Sequence, residues 1–161
     1  YGYWRCFDKN WSQGEFFEYG KFVDKNLPEY PQDQIIKLSN KKNNKIKLGF
    51  LSADLKQGHS ITFFLKTILL NYNKDQIEIY LLSNQIDFKS ISKEISNLVF
   101  KIIDISKLNN VNALNQIREL NLDIIIDVMG YTSRNRIGLF KNRIAKKQVL
   151  WMGYCLSLIH I

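Results

Sequence analysis

Hydrophobic and polar positions follow two different patterns in this 161-residue chain, and the pattern changes near Asn44. Before that point the periodicity is helical. Ser12 and Glu15 have the spacing of a capping box, which predicts a helix that begins after Ser12 and runs to about Asp24. Pro28 and the polar residues after it predict a break in the helix and then a linker up to Asn44.

After Asn44, short apolar segments alternate with helical stripes. The strands predicted from these segments lie near residues 46–50, 77–82, 101–105, 123–128 and 148–152. The helix after the first strand has the clearest stripe, because apolar residues recur from Ile61 to Leu69 at the spacing of one helix face. Residues 123–128 are apolar almost throughout, as in a strand that is covered on both faces. The alternation predicts an α/β fold: a doubly wound parallel sheet of the Rossmann-like type, preceded by a short helical segment.

Composition bears on the cellular compartment of the protein and on membrane association. The chain is 45% hydrophobic and 24% charged, and no apolar run approaches the roughly 20 residues that a membrane span needs. Cys6 and Cys155 lie near opposite ends and form no CxxC pair, so we interpret them as free thiols. Because no signal peptide is visible either, these features predict a cytoplasmic protein without a membrane partner.

Charge and missing motifs limit the chemistry. The net charge of +8 raises nucleic acid or a nucleotide diphosphate as a partner. Basic residues mostly stand alone apart from a cluster at 41–47, which favours solvated surface charge and disfavours nucleic acid. The chain has no G-x-G-x-x-G, no P-loop and no G-x-S-x-G motif, which excludes the enzyme classes that depend on them. No Asp-x-Asp pair or cysteine cluster is present, so no metal is expected.

His59 is the strongest candidate for catalysis. It lies in the loop after the first predicted strand and directly before a predicted helix. The positive potential at a helix N-terminus favours the neutral imidazole. A neutral imidazole can accept a proton from an attacking hydroxyl or donate a hydrogen bond to a phosphate oxygen. The alternative interpretation is a polar residue at a helix start that has no catalytic role.

Two later strand ends also carry glycine and polar groups, and open α/β sheets bind ligands at such ends. Gly130-Tyr-Thr-Ser-Arg-Asn-Arg136 has hydroxyl, amide and guanidinium groups that suit a sugar or phosphate. An ordinary turn with a hydroxyl cap explains this segment equally well. Trp151-Met-Gly-Tyr154 lies at the end of the last predicted strand, where the glycine allows close approach of a ligand and Trp151 is interpreted as a core residue.

Taken in order, these segments resemble the catalytic region of glycosyltransferases of the O-GlcNAc transferase/SPINDLY type. The resemblance runs from Lys45 to Tyr154. It is carried by Lys47-Leu-Gly-Phe-Leu-Ser-Ala-Asp54, His59, Phe63-Phe-Leu65, Ile77-Glu-Ile-Tyr80, Ile117-Arg-Glu-Leu-Asn-Leu-Asp-Ile-Ile-Ile-Asp127, Gly130-Tyr-Thr132, Asn135-Arg136, Arg143, Gln148, Trp151 and Gly153-Tyr154. One departure is the segment Arg143-Ile-Ala-Lys-Lys-Gln148, which lacks the two prolines of the usual Arg-Pro-Ala-Pro-Ile-Gln.

The resemblance implies a reaction and a set of site residues. Such enzymes move N-acetylglucosamine from UDP-GlcNAc to Ser or Thr hydroxyls of a protein or peptide. They use two facing Rossmann-like domains, the GT-B fold, and need no metal or other cofactor. His59 matches a histidine near the reacting centre that has been considered a base for the acceptor hydroxyl. The substrate-binding positions implied by the two glycine loops are Gly130, Tyr131, Thr132, Met152, Gly153 and Tyr154.

The resemblance also implies a division of the chain. Residues 1–44 would join an upstream helical-repeat region, residues 45–155 would form the N-terminal catalytic domain, and residues 156–161 would be a tail foreign to the family, an artefact of truncation. A fragment of this kind lacks the nucleotide-binding domain, so we expect no measurable transfer by the 161-residue chain alone. Two alternatives stay open: a SPINDLY-like O-fucosyltransferase that uses GDP-fucose, and a non-catalytic Rossmann-like binding module.

Overall fold

Five parallel strands form one sheet in the computed structural model, which describes residues 12–152. The strands are β1 (Ile46–Ser52), β2 (Ile77–Ser83), β3 (Lys101–Asp104), β4 (Ile124–Asp127) and β5 (Lys147–Leu150). The α-helices are α1 (Gln13–Asn26), α2 (Ser60–Asn71), α3 (Lys93–Ser96), α4 (Asn110–Glu119) and α5 (Ile137–Lys141). Short 3-10 helices lie at Gln32–Gln34 and Phe88–Ser90.

The sheet has the strand order β3-β2-β1-β4-β5. The central strand β1 pairs in parallel with β2 on one side and with β4 on the other. The chain therefore builds outward to β3, crosses back over β1, and builds outward again to β5. This confirms the predicted doubly wound parallel sheet. The winding reverses between β1 and β4, which is where open α/β sheets leave a crevice for a ligand.

Alternate residues of the central strands pack on opposite faces of the sheet. Phe50 of β1 belongs to one apolar cluster and Leu51 to the other, and Leu81 and Leu82 of β2 divide in the same way. Helices α4 and α5 contribute to the cluster that contains Leu51, whereas α2 and α3 contribute to the one that contains Phe50. Because both faces are covered, consecutive strand positions are apolar rather than alternating with polar ones.

The pattern of apolar residues also predicts a weak helix over about residues 88–98, and the structure differs from this prediction. The 3-10 turn and the four-residue helix α3 replace it. Between them Ile91 forms an isolated bridge with Lys56, and the Ser92 N–H donates to the Leu55 carbonyl at 2.9 Å. A backbone that bonds to a distant segment cannot continue a helix, so contact with the loop after β1 decides this conformation.

Helix α1 begins at the predicted capping box. The Ser12 hydroxyl accepts from the Glu15 N–H at 3.3 Å, and the Glu15 carboxylate accepts from the Ser12 N–H at 2.7 Å. These two bonds satisfy backbone donors that a helix start leaves without partners. The helix then ends at Asn26, two residues before Pro28.

The predicted linker lies against the sheet domain. Ile35 is 6% exposed and belongs to the cluster on the α4 face. Arg118 of α4 donates from Nη1 to the Ile36 carbonyl at 2.6 Å, and Asn115 donates from Nδ2 to the Gln34 carbonyl at 2.8 Å. Residues before β1 are thus anchored on the domain. The proposed boundaries of residues 1–44, 45–155 and 156–161, and the upstream repeat region, stay predictions.

Candidate active site

The three segments singled out in the sequence lie next to one another at one edge of the sheet. They follow β1, β4 and β5, which are neighbours in a parallel sheet, so their carboxyl ends meet at the same edge. The Trp151 N–H donates to the Asp127 carbonyl at 2.8 Å, which joins the β5 exit to the β4 exit. The order of the strands in the sheet therefore brings these three segments together.

The loop after β1 is held from two sides. Leu55 is fully buried, and its carbonyl accepts from the segment before α3. On the other side the Thr62 hydroxyl donates to the Lys56 carbonyl at 2.8 Å. Gly58 has φ +78°, a left-handed conformation that glycine adopts without strain. The loop therefore delivers His59 to the start of α2 in a defined position.

His59 caps helix α2 with its own side chain. Its Nδ1 accepts from the Ile61 N–H at 3.3 Å. An accepting Nδ1 carries no proton, so the neutral ring has its proton on Nε2. Nε2 lies 4.0 Å from Oδ1 of Asp54, and the imidazole side chain is 31% exposed. This arrangement makes His59 a hydrogen-bond donor through Nε2 for as long as the cap is kept.

A cavity of about 610 Å³ opens beside His59. It extends along the outer face of α2 past Phe63, Lys66 and Leu70, and Lys66 forms a 2.9 Å ion pair with Glu94 across it. Phe63 is 70% exposed. Of the residues that the structure describes, neither those of the loop after β4 nor Trp151 and Met152 after β5 line this cavity. The structure thus places His59 and the outer surface of α2 around one cavity.

The loop after β4 is closed by its own hydrogen bonds. Asp127 accepts at Oδ1 from the Met129 N–H at 2.9 Å and at Oδ2 from the Gly130 N–H at 3.1 Å. Gly130 is buried with φ +55°, and the Thr132 hydroxyl donates to the Met129 carbonyl at 2.9 Å. The Gly130 amide is therefore occupied, and Thr132 is left with an oxygen that can accept from a ligand hydroxyl.

Tyr131 lies near helix α1. Burial raises the pKa of the Tyr131 hydroxyl, and the charges of Tyr19 and Asp24 on α1 raise it further. The ring is half-buried. Helix α1 is thus a neighbour of the β4 loop, a relation that the sequence did not indicate.

Arg136 is fully engaged within the protein. Its guanidinium donates to the carbonyls of Ile105 and Leu108 and to the side chains of Asn84 and Asn110. Burial also lowers the pKa of Arg136. A guanidinium is a group that suits a phosphate, but that of Arg136 connects the exits of β2 and β3 to the β4 loop instead.

The loop after β5 is described only in part. Trp151 packs on the apolar cluster that contains Phe50, and the ring centroids of Trp151 and Phe50 are 6.4 Å apart. This agrees with the interpretation of Trp151 as a core residue. Met152 has φ +62° and is 41% exposed at the end of the described residues. Gly153 and Tyr154 lie outside the described residues, so their predicted contact with substrate stays a prediction.

Sequence reasoning missed the role of two residues at the same edge. Asp127 is 4% exposed and Met129 is 1% exposed, and together they connect the β4 loop to the β1 exit. A carboxylate inside an otherwise apolar strand was the available signal for Asp127. In the part of the chain that the structure describes, no group of three or more His, Cys, Asp or Glu is arranged to hold a metal. Among the same residues, none of the helices has the length and apolar character needed to span a membrane.

A doubly wound parallel sheet, with polar loops where its winding reverses, defines a Rossmann-like ligand-binding domain. Residues 21–157 match the sequence profile of glycosyl transferase family 41. This match covers the whole sheet and all three exit segments. The chain belongs to glycosyl transferase family 41, as its resemblance to the O-GlcNAc transferase/SPINDLY type implied.

Curated relatives carry the same type of name. The probable UDP-N-acetylglucosamine–peptide N-acetylglucosaminyltransferase SPINDLY of Oryza sativa subsp. japonica is 24% identical over 141 residues, which cover 85% of this chain and 15% of the relative. Its namesake from Arabidopsis thaliana is 29% identical over 115 residues, 68% of this chain and 12% of the relative. The UDP-N-acetylglucosamine–peptide N-acetylglucosaminyltransferase of Caenorhabditis elegans is 24% identical over 112 residues, 68% of this chain and 10% of the relative. The chain spans only about 15% or less of their length.

A solved structure shares the fold. A mutant O-GlcNAc transferase from Thermobaculum terrenum superposes with a TM-score of 0.72 at 18% identity, covering 89% of this chain and 27% of that one. At this identity the likeness concerns the fold alone.

Proposed function

We propose that the protein containing this chain transfers N-acetylglucosamine from UDP-GlcNAc to Ser or Thr hydroxyls of a protein or peptide. In this proposal residues 45–155 are its N-terminal catalytic domain, and no metal takes part. Family membership and the names of the relatives support this class of reaction. The observation that carries the proposal is the position of His59, at the start of α2 and beside the winding reversal of the sheet.

In this reaction the acceptor oxygen attacks the anomeric carbon while the diphosphate leaves with the bonding electron pair. Two roles for His59 fit that scheme: removing the proton of the acceptor hydroxyl, or donating a hydrogen bond to a reacting oxygen. To act as a base, Nε2 must be unprotonated, and the ring proton must then lie on Nδ1, where it would face the Ile61 N–H. Because two donors repel, the cap favours the donor role for His59.

The glycine loops would border the sugar and the acceptor. Thr132 offers an oxygen that accepts from a sugar hydroxyl, since its own proton is used at the Met129 carbonyl. Gly130 has φ +55°, a conformation that glycine adopts without strain, so the loop can turn directly after the strand. Tyr131, Met152, Gly153 and Tyr154 complete the proposed contacts.

The test is a transfer assay with the complete reading frame that contains this chain, because the chain spans about 15% or less of its relatives. A Ser/Thr peptide is offered with UDP-GlcNAc and, separately, with GDP-fucose. Transfer from UDP-GlcNAc supports the proposal, and transfer from GDP-fucose alone would replace the donor. A folded protein that uses neither sugar would contradict the enzymatic role and favour the binding module.

Two variants then decide the role of His59. His59→Ala should lower turnover by about 100-fold or more, because it removes both the donor and any base. His59→Asn keeps a cap oxygen and an N–H donor but cannot take a proton. If His59 is a donor, the Asn variant keeps much more activity than the Ala variant. Equal losses in the two variants would count against the donor role.

A further inference from the structure

Asp127 is a buried carboxylate that the proposed reaction does not use. It is the last residue of β4 and is 4% exposed. Its partners are the backbone N–H groups of Met129 and Gly130, at 2.9 and 3.1 Å. Burying a carboxylate is costly even when it is hydrogen-bonded, so its presence inside an apolar strand calls for a reason.

The bonds of Asp127 extend to all three exit segments. Met129, held by the carboxylate, receives at its sulfur the Ala53 N–H at 3.1 Å and the Ser52 hydroxyl at 3.5 Å. The Ser52 hydroxyl in turn accepts from the Asp54 N–H at 3.0 Å, and Oδ1 of Asp54 lies 4.0 Å from Nε2 of His59. The Asp127 carbonyl meanwhile accepts from the Trp151 N–H at 2.8 Å.

Asp104 provides an internal comparison. It is the last residue of β3, and its Oδ1 accepts from the Ser106 N–H at 2.9 Å and from the Ser106 hydroxyl at 2.6 Å. The local turn is thus of the same kind as at Asp127. However, β3 is an edge strand two positions away from the winding reversal, and the bonds of the Asp104 carboxylate stay within its own loop.

We propose that Asp127 is a positioning residue whose carboxylate sets the distance between the Gly130 loop and the loop that carries His59. This inference rests on the proposed function for the location of the reacting atoms. The carboxylate orients Met129, and the sulfur of Met129 in turn fixes the first residues after β1. The two loops flanking the crevice are thereby held as one unit.

The first test needs no transfer activity and uses the 161-residue chain. Amide hydrogen exchange and the ¹H–¹⁵N signals of the His59 ring are compared in wild type, Asp127→Asn and Asp104→Asn. The Asp127 variant keeps the shape of the side chain but loses one acceptor. We expect faster exchange at Met129, Gly130 and Ala53 together with a shifted His59 signal. The Asp104 variant should change Ser106 and leave His59 as it is.

A second variant covers the case in which Asp127→Asn does not fold. Met129→Leu removes the sulfur acceptor and leaves the carboxylate in place, so exchange should rise at Ala53 and not at Gly130. If Asp127→Asn speeds exchange at Met129 and Gly130 while Ala53 and the His59 signal stay unchanged, or if Met129→Leu leaves exchange at Ala53 unchanged, Asp127 is only a local turn residue and the inference is overturned.

Kinetics of the complete reading frame give an independent readout. Misplacing a loop should lower kcat by about 10-fold or more, while KM for the nucleotide sugar changes much less. An equal change of kcat in Asp104→Asn would contradict the inference. If no variant and no wild-type protein transfers sugar, the proposed function fails, but the exchange and ring-signal result still decides the role of Asp127.

Discussion

Replacing Asp127 by Asn should change how the stability of the chain depends on pH. Burial, opposed by bonds from the Met129 and Gly130 N–H groups, raises the pKa of Asp127 from 3.8 to about 6. In the unfolded chain the carboxyl regains its ordinary value. Between the two values the folded protein holds a proton that the unfolded chain has released. Stability from this group is therefore complete below about pH 4 and is lost as the pH rises through about 6.

The size of the effect follows from the difference between the two pKa values. A rise from 3.8 to about 6 corresponds to about 3 kcal/mol of unfolding free energy across the whole window. About 2 kcal/mol of this falls between about pH 4.5 and 7.5. The Asn variant cannot titrate, so the difference in stability between it and the wild type should move by that amount, in favour of the variant at high pH.

Urea unfolding of the two proteins across that pH range measures the difference. The lost hydrogen bond adds a cost of about 1–3 kcal/mol, but it is the same at every pH and does not affect the slope. The other charged groups are the same in both proteins, so their contributions cancel in the difference. A stability difference that stays constant with pH, or moves in favour of the wild type at high pH, would refute the reasoning.

Three further changes test the structure elsewhere. His59→Ala should destabilise the chain by about 1 kcal/mol through loss of the α2 cap while His59→Asn should not, as judged by thermal unfolding. Gly49→Ala should destabilise by about 1–3 kcal/mol, because the new methyl would lie 2.7 Å from the Leu122 side chain in the core; unchanged stability would mean that Leu122 moves aside. Arg118→Met should cost about 3 kcal/mol and speed amide exchange at Ile36, because it leaves three backbone carbonyls without their donor; normal exchange at Ile36 would show that Arg118 is not the anchor.

The order of the elements could be predicted from the sequence because each element carries its own signal. Consecutive apolar residues at 124–126 require a strand covered on both faces, and the stripe from Ile61 to Leu69 requires a helix with one buried face. Parallel strands joined by helices then leave few arrangements. At residues 88–98 the local signal was weak and the prediction of a single helix was wrong, because this backbone forms hydrogen bonds with the loop after β1 instead.

The candidate site was predictable to the same extent. The segment that follows a strand begins at the carboxyl edge of a parallel sheet whatever else the chain does, so the three exit segments could be named beforehand. Their polar groups could not be assigned in the same way. The sequence left the segment from Gly130 to Arg136 open between a ligand site and an ordinary turn, and the structure shows the Arg136 guanidinium bound to Asn84 and Ile105 from two other strand exits.

The sequence by itself determined the fold class, the order of the strands and long helices along the chain, and the edge of the sheet to which the three exit segments belong, because these depend on spacing within short segments. Only the tertiary structure decided which polar atoms remain available there. The Asp127 carboxylate accepts from the Met129 N–H, and Nδ1 of His59 accepts from the first turn of its helix. Arg118 donates to a carbonyl 82 positions away in the sequence. Hydrogen-bond partners so distant in sequence are chosen by packing, because a buried polar group must find whichever partner the folded chain brings within reach.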